Sequence, residues 1–195
     1  MSERERPPRA VLDSDVIFSR VLYELLGRIA ADERLLTLVW SEELLAEAQR
    51  VLAARKPMPA AASRRWVGHL REAFPGERVA LGALPPDVDL AAMTGDLDDQ
   101  HVCALAVIGS ADLLVTFDRG YLHAPLAAHG VEVAEPDTLL LSLLDEHPAA
   151  VLASLESQVD AWAGGRPMSE LVDAIARARA PRFAAGVRAA LSLPG

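Results

Sequence analysis

Cysteine is almost absent from the 195-residue chain, where Cys103 stands alone. A single thiol closes no internal disulfide and builds no cysteine-rich zinc centre. Lysine is as scarce: Lys56 is the only one among 19 basic residues, an arginine bias that reflects composition and carries no chemistry by itself. No apolar run approaches the roughly 18 residues that a membrane helix needs. The charged, proline-bearing start MSERERPPR has no apolar segment behind it of the signal-peptide kind. A cytoplasmic protein without a membrane partner is therefore expected. With 51% of its residues hydrophobic, the chain is not of the disordered class. Its length suits one domain of ordinary size with a small appendage. There is no internal repeat and no low-complexity linker.

Positive charge is what the middle of the chain lacks. The net charge is −9, yet residues 1–78 carry 13 basic and 12 acidic side chains, and residues 151–195 carry 5 and 4. Residues 79–150 hold Arg119 alone against 12 acids, so the whole excess lies there. A solvated acidic surface accounts for most such residues. Several could instead converge on a bound cation, whose own charge reverses the local electrostatics.

Hydrophobic periodicity orders the chain. RAVLD (9–13) reads as a short buried strand ending on a carboxylate. Residues 16–30 show helical spacing, and LLTLVW (35–40) a second buried strand. Ser41 is a plausible N-cap for a helix over 42–55. A helix over 60–73 contains Trp66, Arg64 and Arg65 and stops at Pro75–Gly76. RVALGAL (78–84) predicts a third strand before Pro85–Pro86. An apolar helix over 98–110 precedes DLLVTFD (112–118), the best strand in the sequence, and VEVAEP (131–136) reads as a fifth. From Asp137 onward only helical patterns occur, broken at Pro148, at Gly164–Pro167 and at Pro181. Strands alternating with helices predict an α/β fold, a parallel sheet covered on both faces. The expected division is a domain over 1–147 and a helical extension over 148–195.

In an open parallel sheet, ligands gather beyond the carboxyl ends of the strands. Asp13 closes the first strand and Asp118 closes VTFD. Asp99 begins the helix before that strand, where the helix dipole alone would favour a carboxylate. In SEELLAEAQRVL, Leu44, Leu45, Ala48, Val51 and Leu52 form an apolar stripe. At about 100° per residue, Glu47 falls on its margin, suited either to a surface ion pair or to a cleft between helix and sheet. Gathered together, such acids need a counter-charge: two carboxylates about 4 Å apart repel by about 4 kcal/mol at an effective dielectric of about 20. Oxygen-only donors suit a hard cation, Mg²⁺ or Mn²⁺. His101, about 200° round the helix from Asp99, reads as structural or exposed, and the other histidines are isolated.

The fragments VLDSDV, WSEELLAEAQRVL and DLDDQHVCALAVIGSADLLVTFDRGYL resemble the signature blocks of PIN domains, in that family's order and spacing over roughly residues 9–140. The last block is the most specific: an Asp, an apolar helix containing Ala104, then T-x-D at a strand end. The resemblance implies a PIN-like three-layer α/β/α sandwich whose acidic site falls on Asp13, Glu47, Asp99 and Asp118, with Thr116 as the hydroxyl beside the last acid. Asp15 stands where many members have Asn. Asp96 and Asp98 leave the register ambiguous; Asp99 lies five residues before Ala104, as the family pattern requires. The tail from about Pro148 to Ala190, with P-x-S-E-L at 167–171, resembles the helical extension of one branch of VapC-like toxins.

That likeness implies a Mg²⁺- or Mn²⁺-dependent ribonuclease that hydrolyses RNA phosphodiester bonds, the toxin of a type II toxin–antitoxin module, partnered by an antitoxin and dimeric. Asp13, Asp99 and Asp118 are implied as metal ligands, and Glu47 as a further ligand or the group orienting the attacking water. Attack by water yields a 5′-phosphate and needs no 2′-hydroxyl. Candidate phosphate contacts are Arg20, Arg50, Arg64, Arg65 and Arg119; with so few cations, tight sequence-independent RNA binding is not expected. Two other readings stand beside this one: an RNA-processing nuclease without an antitoxin, and a nuclease-like scaffold that only binds.

Overall fold

The computed structural model describes residues 6–55, 59–162 and 165–193. Four parallel strands, β1 (Arg9–Leu12), β2 (Thr37–Val39), β3 (Leu113–Val115) and β4 (Glu132–Ala134), form one sheet in the order β2-β1-β3-β4. Helices flank it, giving the expected α/β/α arrangement. The strands are short; β1, β2 and β3 are almost wholly buried, as a sheet covered on both faces requires, while the edge strand β4 is partly exposed. From β1 the chain crosses to β2 on one side, whereas β3 lies on the other. The crevice between the carboxyl ends of β1 and β3 is therefore the topological switch point.

The register there is decisive. Leu12 pairs with Val115, and the Asp13 amide donates to the Val115 carbonyl at 3.0 Å. Asp13 and Thr116, one residue further along each strand, are thus set side by side.

Residues 14–31 form two helices rather than one, α1 (Ser14–Phe18) and α2 (Arg20–Ala31), with extended backbone at Ser19. The Ile17 carbonyl, which a continuous helix would direct to residue 21, accepts the Trp66 indole N–H at 2.9 Å instead. Helices α3 (Glu42–Arg55) and α4 (Ala60–Ala73) fall where the periodicity places them. The Ser41 hydroxyl accepts from the Leu44 amide at 3.2 Å, capping α3.

The strand expected over 78–84 does not form. Arg78 makes an isolated parallel bridge to Trp40, and the segment beyond it is irregular up to Pro85–Pro86. Val79 and Leu81 pack on the core and the Val79 amide bonds to the Trp40 carbonyl, but Gly82 weakens a strand and Pro85 and Pro86 lack a donor, so pairing does not continue. The sheet has four strands, and the segment expected as its fifth is β4.

Helix α5 (Gln100–Ile108) leads into β3, and α6 (His123–Ala128) into β4. The rest is helical: α7 (Pro136–Glu146), α8 (Pro148–Asp160), α9 (Met168–Arg177) and α10 (Pro181–Leu191). The P-x-S-E-L motif marks the start of α9. α7 packs against α10, while α8 and α9 lie along α2. Arg28 of α2 donates to the Ser157 hydroxyl at 2.7 Å, and the buried Gln158 donates to the Val21 carbonyl at 3.0 Å. A single apolar cluster runs from the sheet through α2 to Leu155, Val172, Ile175, Phe183 and Val187.

The α9–α10 corner is tight. Arg179 adopts φ +69°, its amide bonds to the Ala176 carbonyl, and the Ala180 amide to the Ile175 carbonyl. This is the Schellman helix stop, with arginine at the left-handed position that glycine usually holds. Asp137, in the first turn of α7, then caps α10: its carboxylate accepts from the Phe183 amide at 2.8 Å and the Arg182 amide at 3.3 Å. No single helix among the described residues is long and apolar enough to cross a membrane.

Candidate active site

The carboxyl end of β1 places Asp13 in the crevice, only 4% exposed. One oxygen accepts from the Ser14 amide at 2.6 Å, which starts α1. The other accepts from the Thr116 hydroxyl at 2.8 Å and the Tyr121 hydroxyl at 3.1 Å. Thr116 in turn accepts from the Asp118 amide at 2.9 Å. One hydroxyl thereby holds both strand-end acids, and Thr116 stands in the site as expected. Gly120 donates to an Asp118 oxygen at 2.7 Å and fixes that exposed carboxylate from the far side.

Asp15 belongs to the same cluster. It accepts from the Phe117 amide at 3.0 Å through one oxygen, while the other is buried without a partner. Glu47 reaches in from α3: the Ser14 hydroxyl donates to it at 3.3 Å, and His101 Nε2 lies 3.2 Å from its second oxygen. That second contact is an ion pair too oblique to be a hydrogen bond, so the oxygen retains acceptor capacity. Asp99 sits half-buried at the start of α5.

The electrostatics show how closely these groups crowd. Burial pushes the Asp99 carboxyl up to about 7, reinforced by the charges of Asp13, Asp96, Asp118 and Glu47. Asp15 is also pushed up to about 7, by burial and then by Asp13. Burial raises Asp13 too, although Thr116, Ser14 and Tyr121 oppose the rise. For His101, burial disfavours the charged ring, but Glu47 and the Asp98 carbonyl outweigh it and raise its pKa. The charges of Asp13, Glu47 and Asp118 thus all reach Asp99. Among the described residues, however, no three His, Cys, Asp or Glu side chains stand close enough to hold an ion between them unaided.

The donor chemistry nevertheless suits a hard divalent cation. The groups are oxygen donors, two carboxylate oxygens are buried without a hydrogen bond, and the cluster carries more negative charge than its surroundings neutralise. Mg²⁺ keeps several of its waters and needs only one or two direct carboxylates.

Sequence reasoning missed Tyr121, Ser14 and His101. His101 lies about 200° round the helix from Asp99, but its ring reaches across to Glu47 on another helix. Tyr121 lies three residues after Asp118, and only the bridge between Thr94 and Tyr121 folds it back over Asp13. Of the arginines expected to meet phosphate, Arg20 is engaged by Glu24 at 2.7 Å and lies over Trp66. Arg119 stands 4.0 Å from Glu135, with its side chain 89% exposed. Arg50, Arg64 and Arg65 are exposed on α3 and α4.

Comparison with known families gives two matches: a PIN domain over residues 9–120 and the VapC50 C-terminal domain over residues 136–189. Neither a curated protein nor a solved structure matches the chain. PIN domains are generally nucleases, and the first match spans Asp13, Asp15, Glu47, Asp99, Thr116 and Asp118. The chain belongs to the PIN-domain family, in its VapC-like form with a helical C-terminal extension.

Proposed function

We propose that the protein is a Mg²⁺- or Mn²⁺-dependent endoribonuclease, the toxin of a type II toxin–antitoxin module. It acts in the cytoplasm as a homodimer and is held in check by an antitoxin protein. The observation that carries the reading is the buried Asp13 at the switch point, anchored by Thr116 and Tyr121 and crowded by Asp15, Asp99, Asp118 and Glu47.

Asp13, Asp99 and Asp118 would hold the cation, directly or through its waters, with Asp15 and Glu47 as further oxygen donors. A bound divalent ion supplies a water of lowered pKa and offsets charge on the phosphate in the transition state. Thr116 keeps Asp13 and Asp118 in fixed relation. Glu47, which Ser14 and His101 approach, would complete that donor set or orient the attacking water. No side-chain nucleophile takes part, so the products are a 5′-phosphate and a 3′-hydroxyl.

The test is incubation of total RNA with Mg²⁺ and the wild type, Asp13→Ala or Asp118→Asn, followed by mapping of new ends. Cleavage by the wild type alone, leaving 5′-phosphates, is expected. Equal cleavage by the variants, or 2′,3′-cyclic phosphate ends, overturns the mechanism. The module assignment has its own check: expression of the wild type arrests growth, and Asp13→Ala or a co-expressed neighbouring antitoxin frame relieves it.

A further inference from the structure

Resting on the nuclease reading, we propose that the α9–α10 corner is an RNA phosphate-binding patch. Arg177, Arg179 and Arg182, with Arg119, would hold the substrate strand at the mouth of the acidic pocket. The corner packs against the segment that carries Thr116 and Asp118. The Arg179 guanidinium carbon lies 4.3 Å from the centre of the Phe117 ring. Phe117 stands between Thr116 and Asp118, and its amide donates to Asp15. Asp137 ties the start of α10 to the first turn of α7, which follows β4.

Arg177, Arg179 and Arg182 are exposed, and none makes an ion pair among the described residues. Other arginines are committed to carboxylates, such as Arg9 to Glu77 and Arg188 to Asp173. The backbone adds an independent sign. Arg179 occupies a left-handed position that glycine would take without strain, and strain beside a site points to a role for the side chain held there. The electrostatic need is plain as well. Residues 79–150 offer a polyanion one arginine against 12 acids, and the extension brings Arg179 to the Phe117 ring, with Arg177 and Arg182 close to it in the chain. Planar guanidinium donors match phosphate oxygens.

The experiment uses the full chain carrying Asp118→Asn, so that bound RNA survives. Its affinity for fluorescein-labelled oligouridylate is measured against salt, with and without Arg177→Ala, Arg179→Gly and Arg182→Ala together. The triple variant is expected to weaken binding about tenfold and to flatten the slope of log affinity against log salt by about 2, as loss of three single-strand phosphate contacts would. Arg179→Gly alone leaves the thermal midpoint unchanged or higher, because it relieves the left-handed backbone. On the RNA cut in the total-RNA assay, Arg179→Gly in the otherwise wild-type chain raises KM more than it lowers kcat.

Unchanged affinity and slope in the triple variant overturn the patch. So does a fall in the thermal midpoint of Arg179→Gly that accounts for its weaker binding. Retained RNA binding with lost binding of labelled polyglutamate makes the corner a protein-docking surface and overturns it too. Cleavage of total RNA without oligouridylate binding overturns the patch and spares the nuclease reading; absence of both overturns the two together.

Discussion

At the scale of single residues, the site turns on the Thr116 hydroxyl, which gives its proton to Asp13 and accepts the Asp118 amide. Thr116→Val removes both bonds without altering the shape. A buried carboxylate then loses a donor and an amide loses its acceptor, which costs about 1–3 kcal/mol by urea unfolding. Nuclease activity falls further than stability does, because two acids drift at once. Thr116→Ser keeps the hydroxyl and recovers most of both. The crowded acids also make stability depend on pH. Asp99, pushed up to about 7 from an ordinary value of 3.8, binds its proton more tightly when folded than when unfolded. Its contribution is complete below 3.8 and is lost as pH rises through 7. In chelator, the urea midpoint of Asp99→Asn should therefore gain on the wild type across that interval. Mg²⁺ or Mn²⁺ should return part of the wild type's loss above pH 7. An identical pH dependence of the two proteins would remove Asp99 from the crowded cluster.

At the scale of elements, the joint between sheet and extension rests on a short acid. Asp137 is 6% exposed and caps the first turn of α10 through two amides. Asp137→Ala leaves those amides without an acceptor, a cost of about 1–3 kcal/mol. Hydrogen exchange at Arg182 and Phe183 should accelerate before it does in β1, showing that α10 loosens first. Asp137→Asn, which keeps one acceptor oxygen, should lie between. Elements such as α3, α4 and β3 were legible because local signals agreed: a capping serine, an apolar stripe, a Pro–Gly stop, a run of branched residues. The break at Ser19 was not, because it depends on Trp66 from a distant helix taking the Ile17 carbonyl. RVALGAL has the composition of a strand, but pairing depends on a continuous backbone neighbour, and its bridge to Trp40 ends at Val79 although Val79 and Leu81 pack on the core. The acids at strand ends could be read because a parallel register brings strand ends together whatever lies between. Tyr121 and His101 arrive through a loop bridge and a helix–helix approach, which spacing along the chain does not encode.

At the scale of the whole molecule, the two family matches describe one packed body. Leu22, Leu25, Leu26 and Ile29 of α2 are fully buried, and α8 and α9 lie along that helix. Arg28 and Val21 of α2 also direct polar groups to Ser157 and Gln158. A chain ending at Glu135 would bare much of this apolar face. Each leucine side chain returned to water forfeits about 1.5–3 kcal/mol, so losing a few removes a stability of about 5–15 kcal/mol. We propose that a division near Pro148 marks a change of architecture within one cooperative unit. The full chain should then unfold in urea in a single transition, with helix content and tryptophan fluorescence coinciding. The chain ending at Glu135 should bind a dye for exposed apolar surface and show no cooperative melt. Two separated transitions in the full chain, or a sharply melting truncated chain, would make the extension an independent domain. The arginine corner would then reach the acidic pocket only by transient docking, and its effect on RNA affinity would fall with the strength of that docking.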